Sequence, residues 1–107
     1  MELIETLPSH VTDAATLSLL KRKSFTHEHS DEMYSDYLRT PSGFGEDGTD
    51  RLERVTFMTE NRMWFPFSEH IDLDGNEWYR QVGPPSDLAA AIKWLKKDQK
   101  KAPKRLF

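Results

Sequence analysis

The last quarter of the chain carries the pattern that most restricts the fold. Stepping about 100° per residue, Leu88, Ala91, Ile92 and Leu95 fall on one stripe with Trp94 at its border, while Lys93, Lys96, Lys97, Lys100 and Lys101 fall on the opposite arc. A helix over about 86–101 with one greasy side must cover an apolar layer built by the rest of the chain. Gly83, Pro84 and Pro85 break the chain just before it, and the lysines near its end offset the negative pole of its dipole.

The layer to be covered is legible upstream as a change of period. Val55 and Phe57 alternate with Thr56 and Met58; Met63, Phe65 and Phe67 alternate with Trp64 and Pro66, which predicts strands over 55–59 and 63–67. Glu60 and Asn61 supply a turn between them. Pro66 cannot donate to a ladder, so the second strand is expected at an edge or bulged there. Ile71 and Leu73 alternate up to Asp74 and Gly75, a hairpin signal, after which Trp78 to Val82 returns.

Two helices are expected before the strands. Thr12 and Asp13 read as a helix start, with Ala14, Leu17 and Leu20 at helical spacing and Lys21, Arg22 and Lys23 at the far end, giving a helix over 12–23. Ser30, Asp31 and Glu32 read as a second start. Met33 with Tyr37 and Tyr34 with Leu38 form pairs four apart, and Pro41 ends the segment. The expected fold is therefore α+β: two N-terminal helices, a small antiparallel three- or four-stranded meander, and the C-terminal amphipathic helix packed on the sheet. At 107 residues this is a single domain over 1–107, with a frayed tail at 102–107.

Charge divides the chain. From Lys93 onward Lys93, Lys96, Lys97, Lys100, Lys101, Lys104 and Arg105 face one acid, Asp98. That segment is +6 in a chain of net −3, leaving residues 1–92 at −9. Such asymmetry bears on association. The absence of cysteine removes disulfides, thiolate chemistry and Cys zinc sites and fits a reducing compartment, so a cytoplasmic location is expected. Apolar runs are far shorter than the ~18 residues a membrane span needs, and Met1 to Ser9 lacks a secretory signal's pattern, so no membrane partner is expected.

Three motifs resemble sites more than they qualify as sites. Gly43, Gly45 and Gly48 spell GxGxxG, but a phosphate cradle needs a strand before and a helix after, and Glu46 and Asp47 repel phosphate. Asp72, Asp74 and Asn76 match the opening of a calcium loop, yet its sixth and twelfth places hold Glu77 and Gly83 rather than Gly and Glu. His27 and His29, flanking Glu28, share a face if the backbone is extended and are weak metal candidates, two of the three or four ligands a zinc hydrolase needs. No cofactor is implied.

The leading functional expectation is a small non-enzymatic binding or regulatory protein. Its aromatics (three Trp, three Tyr, six Phe) exceed what one sheet face hides. With Phe57, Met63, Phe65 and Phe67 toward the helices, Trp64, Trp78 and Tyr79 are left to bind a partner protein or a second copy of the chain, unless the loop around Phe44 covers that face. One alternative is nucleic-acid contact through Lys93, Lys96, Lys97, Lys100 and Lys101. The other is a metal-dependent hydrolase using His27 and His29.

Overall fold

The computed structural model describes residues 6–40, 50–71 and 74–101. Helix α1 (Ala14–Arg22) precedes five strands, β1 (Thr26–Ser30), β2 (Tyr34–Arg39), β3 (Asp50–Met58), β4 (Met63–Ile71) and β5 (Glu77–Gln81), and helix α2 (Leu88–Lys101) follows them. The strands form one antiparallel sheet in the order β1-β2-β3-β4-β5, so strands adjacent in the sheet are consecutive in the chain. The α+β architecture and the C-terminal helix packed on the sheet are as expected. The described residues hold five strands rather than three or four, and one N-terminal helix rather than two.

The second expected helix is strand β2, for a reason visible at Asp31. Its Oδ1 accepts from the N–H groups of Met33 (2.7 Å) and Tyr34 (3.1 Å), and its own N–H donates to Tyr34 O (3.0 Å). A carboxylate that gathers the N–H groups two and three residues on serves a helix cap and an Asx turn equally well. Here it closes the β1–β2 hairpin. In the strand the apparent four-apart pairs come apart: Tyr34, Asp36 and Leu38 take one face, and Ser35, Tyr37 and Arg39 the other.

Helix α1 is capped by Asp13, not Thr12: Asp13 Oδ2 accepts from Thr16 N–H (2.8 Å) and Thr16 Oγ1 (2.6 Å). Its inward residues are Leu20, buried, and Leu19, half-buried, whereas Ala14 and Leu17 are exposed. The helix ends in a left-handed residue, Ser24 (φ 68°), and Phe25 N–H donates back to Leu20 O at 2.9 Å. That six-to-one bond brings Leu20 and Phe25 together as they enter the core.

One face of the sheet is covered. Val55, Phe57 and Trp64 meet Leu88, Ala91, Ile92 and Leu95 of α2, with Tyr37, Val11, Leu20 and Phe25 completing the cluster. Each large side chain hidden here stabilises the fold by roughly 1.5–3 kcal/mol. Trp64 is the hub, its ring 5.2 Å from that of Phe57 and 5.8 Å from that of Tyr37. Helix α2 starts from Asp87, whose Oδ1 accepts from Ala90 N–H at 2.8 Å. Trp94 lies against Gly83 so closely that a Cβ there would fall 2.3 Å from the indole Cγ.

Register corrects the phase of β4. Trp64 pairs with Phe57 and Pro66 with Val55, so Trp64 and Pro66 point at α2, while Phe65 and Phe67 point away. Nor is β4 an edge, since β5 pairs with it from Phe67 to Ile71. Pro66 is tolerated because the irregularity lies opposite: Val82 N–H donates to Pro66 O (2.9 Å), Ser86 exchanges both backbone bonds with Trp64 (2.7 and 3.0 Å), and the chain arches between them. The β3–β4 turn places Arg62 (φ 55°), not Asn61, in the left-handed conformation. The GxGxxG loop with Phe44, Asp72 of the calcium-like run, and the tail 102–107 with Lys104, Arg105, Leu106 and Phe107 lie outside the described residues.

Candidate binding face

The other face of the sheet carries no described element over it. The strand parity that sends Val55 and Phe57 inward sends Arg54, Thr56 and Met58 of β3 outward, beside Tyr34 and Asp36 of β2, Phe67 and Glu69 of β4, and Glu77 and Tyr79 of β5. Together these residues line a hollow of about 360 Å³, at the small end of the roughly 300–1,000 Å³ typical of ligand sites.

The floor is organised by one guanidinium. Arg54 Nη1 donates to Glu28 Oε1 and Asp36 Oδ2, both at 2.7 Å, and Arg54 Nε donates to Glu69 Oε2. Asp36 Oδ1 also accepts from Thr56 Oγ1 at 2.5 Å. A residue on β3 thus holds carboxylates from β1, β2 and β4. Burial works against the Arg54 charge, but the bonds to Glu69 and Glu28 and the neighbouring Asp36 outweigh it and raise the pKa, so Arg54 stays cationic. Burial pushes the Asp36 carboxyl above its ordinary 3.8, with Thr56 and Arg54 pulling it back. Burial, then the charges of Asp36 and Asp31, raise the Tyr34 phenol, which keeps its proton.

Aromatic rings form the walls. Phe67 meets Tyr79 edge-on with ring centres 5.8 Å apart, and Tyr34 packs against His29 at 5.6 Å. Tyr79 is 67% exposed, and the apolar surface continues along the same side of β4 to half-buried Phe65 and exposed Met63.

The residues expected from sequence to meet a partner divide among three situations. Tyr79 stands on the open face. Trp64, at 4% exposure, is core beneath α2. Trp78 pairs with His70 through its backbone in β5, and its side chain lies outside the described residues. Among the lysines, Lys93, Lys96 and Lys97 are exposed on the outer side of α2, Lys97 Nζ lying 5.0 Å from the Trp94 ring centre; the side chains of Lys100 and Lys101 lie outside the described residues.

His27 and His29 do not share a face. The pairing shifts between them, so His27 lies opposite Tyr37 and His29 opposite Asp36. The bulge turns the His27 ring toward Tyr37 and the buried Ser30, whose Oγ is 2.7 Å from its Nε2, and the His29 ring toward Tyr34. Ser30 Oγ in turn bonds Ser35 Oγ (2.7 Å), which accepts from His10 N–H (2.9 Å). No group of three or more metal-ligating side chains occurs among the described residues.

The floor residues Arg54, Asp36, Thr56 and Glu69 are the ones that sequence reasoning passed over. The local signal was present in β3, where Arg54 and Thr56 occupy the positions between Val55, Phe57 and their neighbours. Their convergence depends on register across three strands, which no local pattern encodes. Comparison with known protein families, with curated proteins and with solved structures gave no match.

Proposed function

We propose that this is a small non-enzymatic binding protein that seats another protein on the open face of its sheet. The observation that carries the reading is a sheet face with an ion-paired floor and aromatic walls, half-buried at Tyr34 and Phe67 and exposed at Tyr79, that no described element covers. Antiparallel sheets do leave one face to water, but a solvated face is ordinarily polar throughout. This one presents Tyr79, Met63, Phe65 and Phe67 together, the kind of aromatic-rich patch that marks interaction surfaces.

A photo-crosslinking residue at Tyr79, compared with one at Lys96 on the outer side of α2, tests the reading. The expected result is a discrete adduct, identified by mass spectrometry, from position 79 and none from position 96. Equal, diffuse labelling from both positions counts against it. Sedimentation at several concentrations then tells a different partner from a second copy of this chain.

A second reading attaches to α2, whose Lys93, Lys96 and Lys97 stand exposed in a row. Contact with nucleic acid through three to five such lysines would weaken with salt at a log–log slope of roughly −3 to −5. Binding that survives charge reversal at Lys93 and Lys96 rules this reading out.

A further inference from the structure

We infer that the partner anchors itself by a cationic side chain, a lysine or arginine flanked by apolar residues in a basic segment, inserted into the hollow between Tyr34, Phe67 and Tyr79. This rests on the open face being the docking surface and specifies what it takes.

The charge balance of the hollow favours a cation. Among the described residues Arg54 is the one cation lining the hollow, against Asp36, Glu69 and Glu77 in its lining and Glu28 at its side. One guanidinium shared among three carboxylates leaves a surplus of two negative charges, and Glu77, which has no ion pair among the described residues, adds a third. Asp36 and Glu69 are largely hidden from water, with side chains 10% and 17% exposed, so solvent screens the surplus only in part. An anion entering here must compete with carboxylates already on Arg54. A cation completes the set.

The walls favour a cation independently of charge count. The walls are aromatic faces and a thioether, from Tyr34, Phe67, Tyr79 and Met58. Ammonium and guanidinium groups are drawn to aromatic faces, and their methylene stems pack on apolar surface. The apolar strip running on to Phe65 and Met63 extends beyond what one small amine could cover, which selects a peptide segment over a free amine.

The full chain, 15N-labelled, is titrated with the peptide acetyl-Gly-Lys-Leu-Gly-Lys-Leu-Gly-amide, with its norleucine-for-lysine counterpart and with spermidine. The lysine peptide is expected to shift amides of Tyr34, Asp36, Arg54, Glu69 and Tyr79, and norleucine to weaken it about tenfold. Glu77→Gln, at an exposed position whose side chain has no hydrogen bond or ion pair among the described residues, is expected to weaken it about threefold, and Tyr79→Ala by a similar factor. Equal response to both peptides on these amides overturns the cationic anchor and leaves the docking face standing. Spermidine binding as tightly as the lysine peptide overturns the commitment to a peptide. If neither peptide moves these amides and crosslinking from position 79 is also empty, inference and docking face fall together.

Discussion

Two arginines reach across strands on opposite sides of the same sheet, and their surroundings differ in a way that separates scaffold from surface. On the helix-covered side, Arg39 donates to one carboxylate, Glu53 Oε1 at 2.7 Å, stacks on the Phe25 ring at 4.3 Å, and gives another bond to Lys23 O at 2.8 Å. Among the described residues that arrangement is one charge against one charge. On the open side, Arg54 meets three carboxylates and the charge does not cancel. Glu53 and Arg54 are consecutive residues of β3, so strand alternation alone assigns each to its side. Closed, neutral pairing lies on the helix-covered side, and residual charge lies where no described element covers the sheet.

The contrast is sharpest in stability. Leu95→Ala, at 1% exposure on the covered side, should cost about 3 kcal/mol in urea unfolding, whereas Phe67→Ala on the open side should cost about 1 kcal/mol. Equal losses would mean that both sides are structural core.

Next comes the pairing itself. Arg54→Leu should destabilise by about 2 kcal/mol, less than the roughly 3–5 expected for breaking a fully buried pair because the guanidinium is one-fifth exposed. Removing Glu53 along with Arg39 should recover most of the loss from Arg39→Leu, since no charge is left over. Adding Glu69→Leu to Arg54→Leu should recover only part, because Asp36 remains. Identical recovery in the two double variants would erase the distinction.

Gly83→Ala should cost about 1–2 kcal/mol and disturb the Trp94 fluorescence, because the new methyl group meets the root of the indole rather than a movable tip.

A smaller effect is in the pH dependence. Asp36 takes up its proton in the folded protein at higher pH than in the unfolded chain, so stability falls as pH rises from the ordinary value of 3.8 through the folded one, and the deficit persists above it. Asp36→Asn removes that contribution, and between about pH 3 and 7 the variant should gain on the parent as pH climbs. Smallest of all, Lys96→Glu on the outside of α2 should change stability by no more than about 0.5 kcal/mol and leave lysine-peptide binding to the open face unchanged.

What was legible in the sequence follows from how local each signal is. The stripe of Leu88, Ala91, Ile92 and Leu95 needs only one helix to be understood, and its burial follows. The alternation in β3 and β4 was equally plain, but its phase was not, because Met63, Phe65 and Phe67 read as more apolar than Trp64 and Pro66, which in fact face inward. At Asp31 the capping chemistry was identified but its context was not, since turn and helix start use the same bonds. Ser35 and Asp36, poor residues for a helix interior, were the available hint against a helix there. For the histidines, one extra residue in β1 reverses which way a ring points, and that insertion depends on the partner strand.

Because the sheet is laid down in chain order, its open side is drawn from β1 to β5 in succession, while the two helices come from before and after them. Within β2, β3 and β4, alternate side chains face the open side and their neighbours face the core. The open face can therefore be rewritten at alternate positions without disturbing the packing behind it.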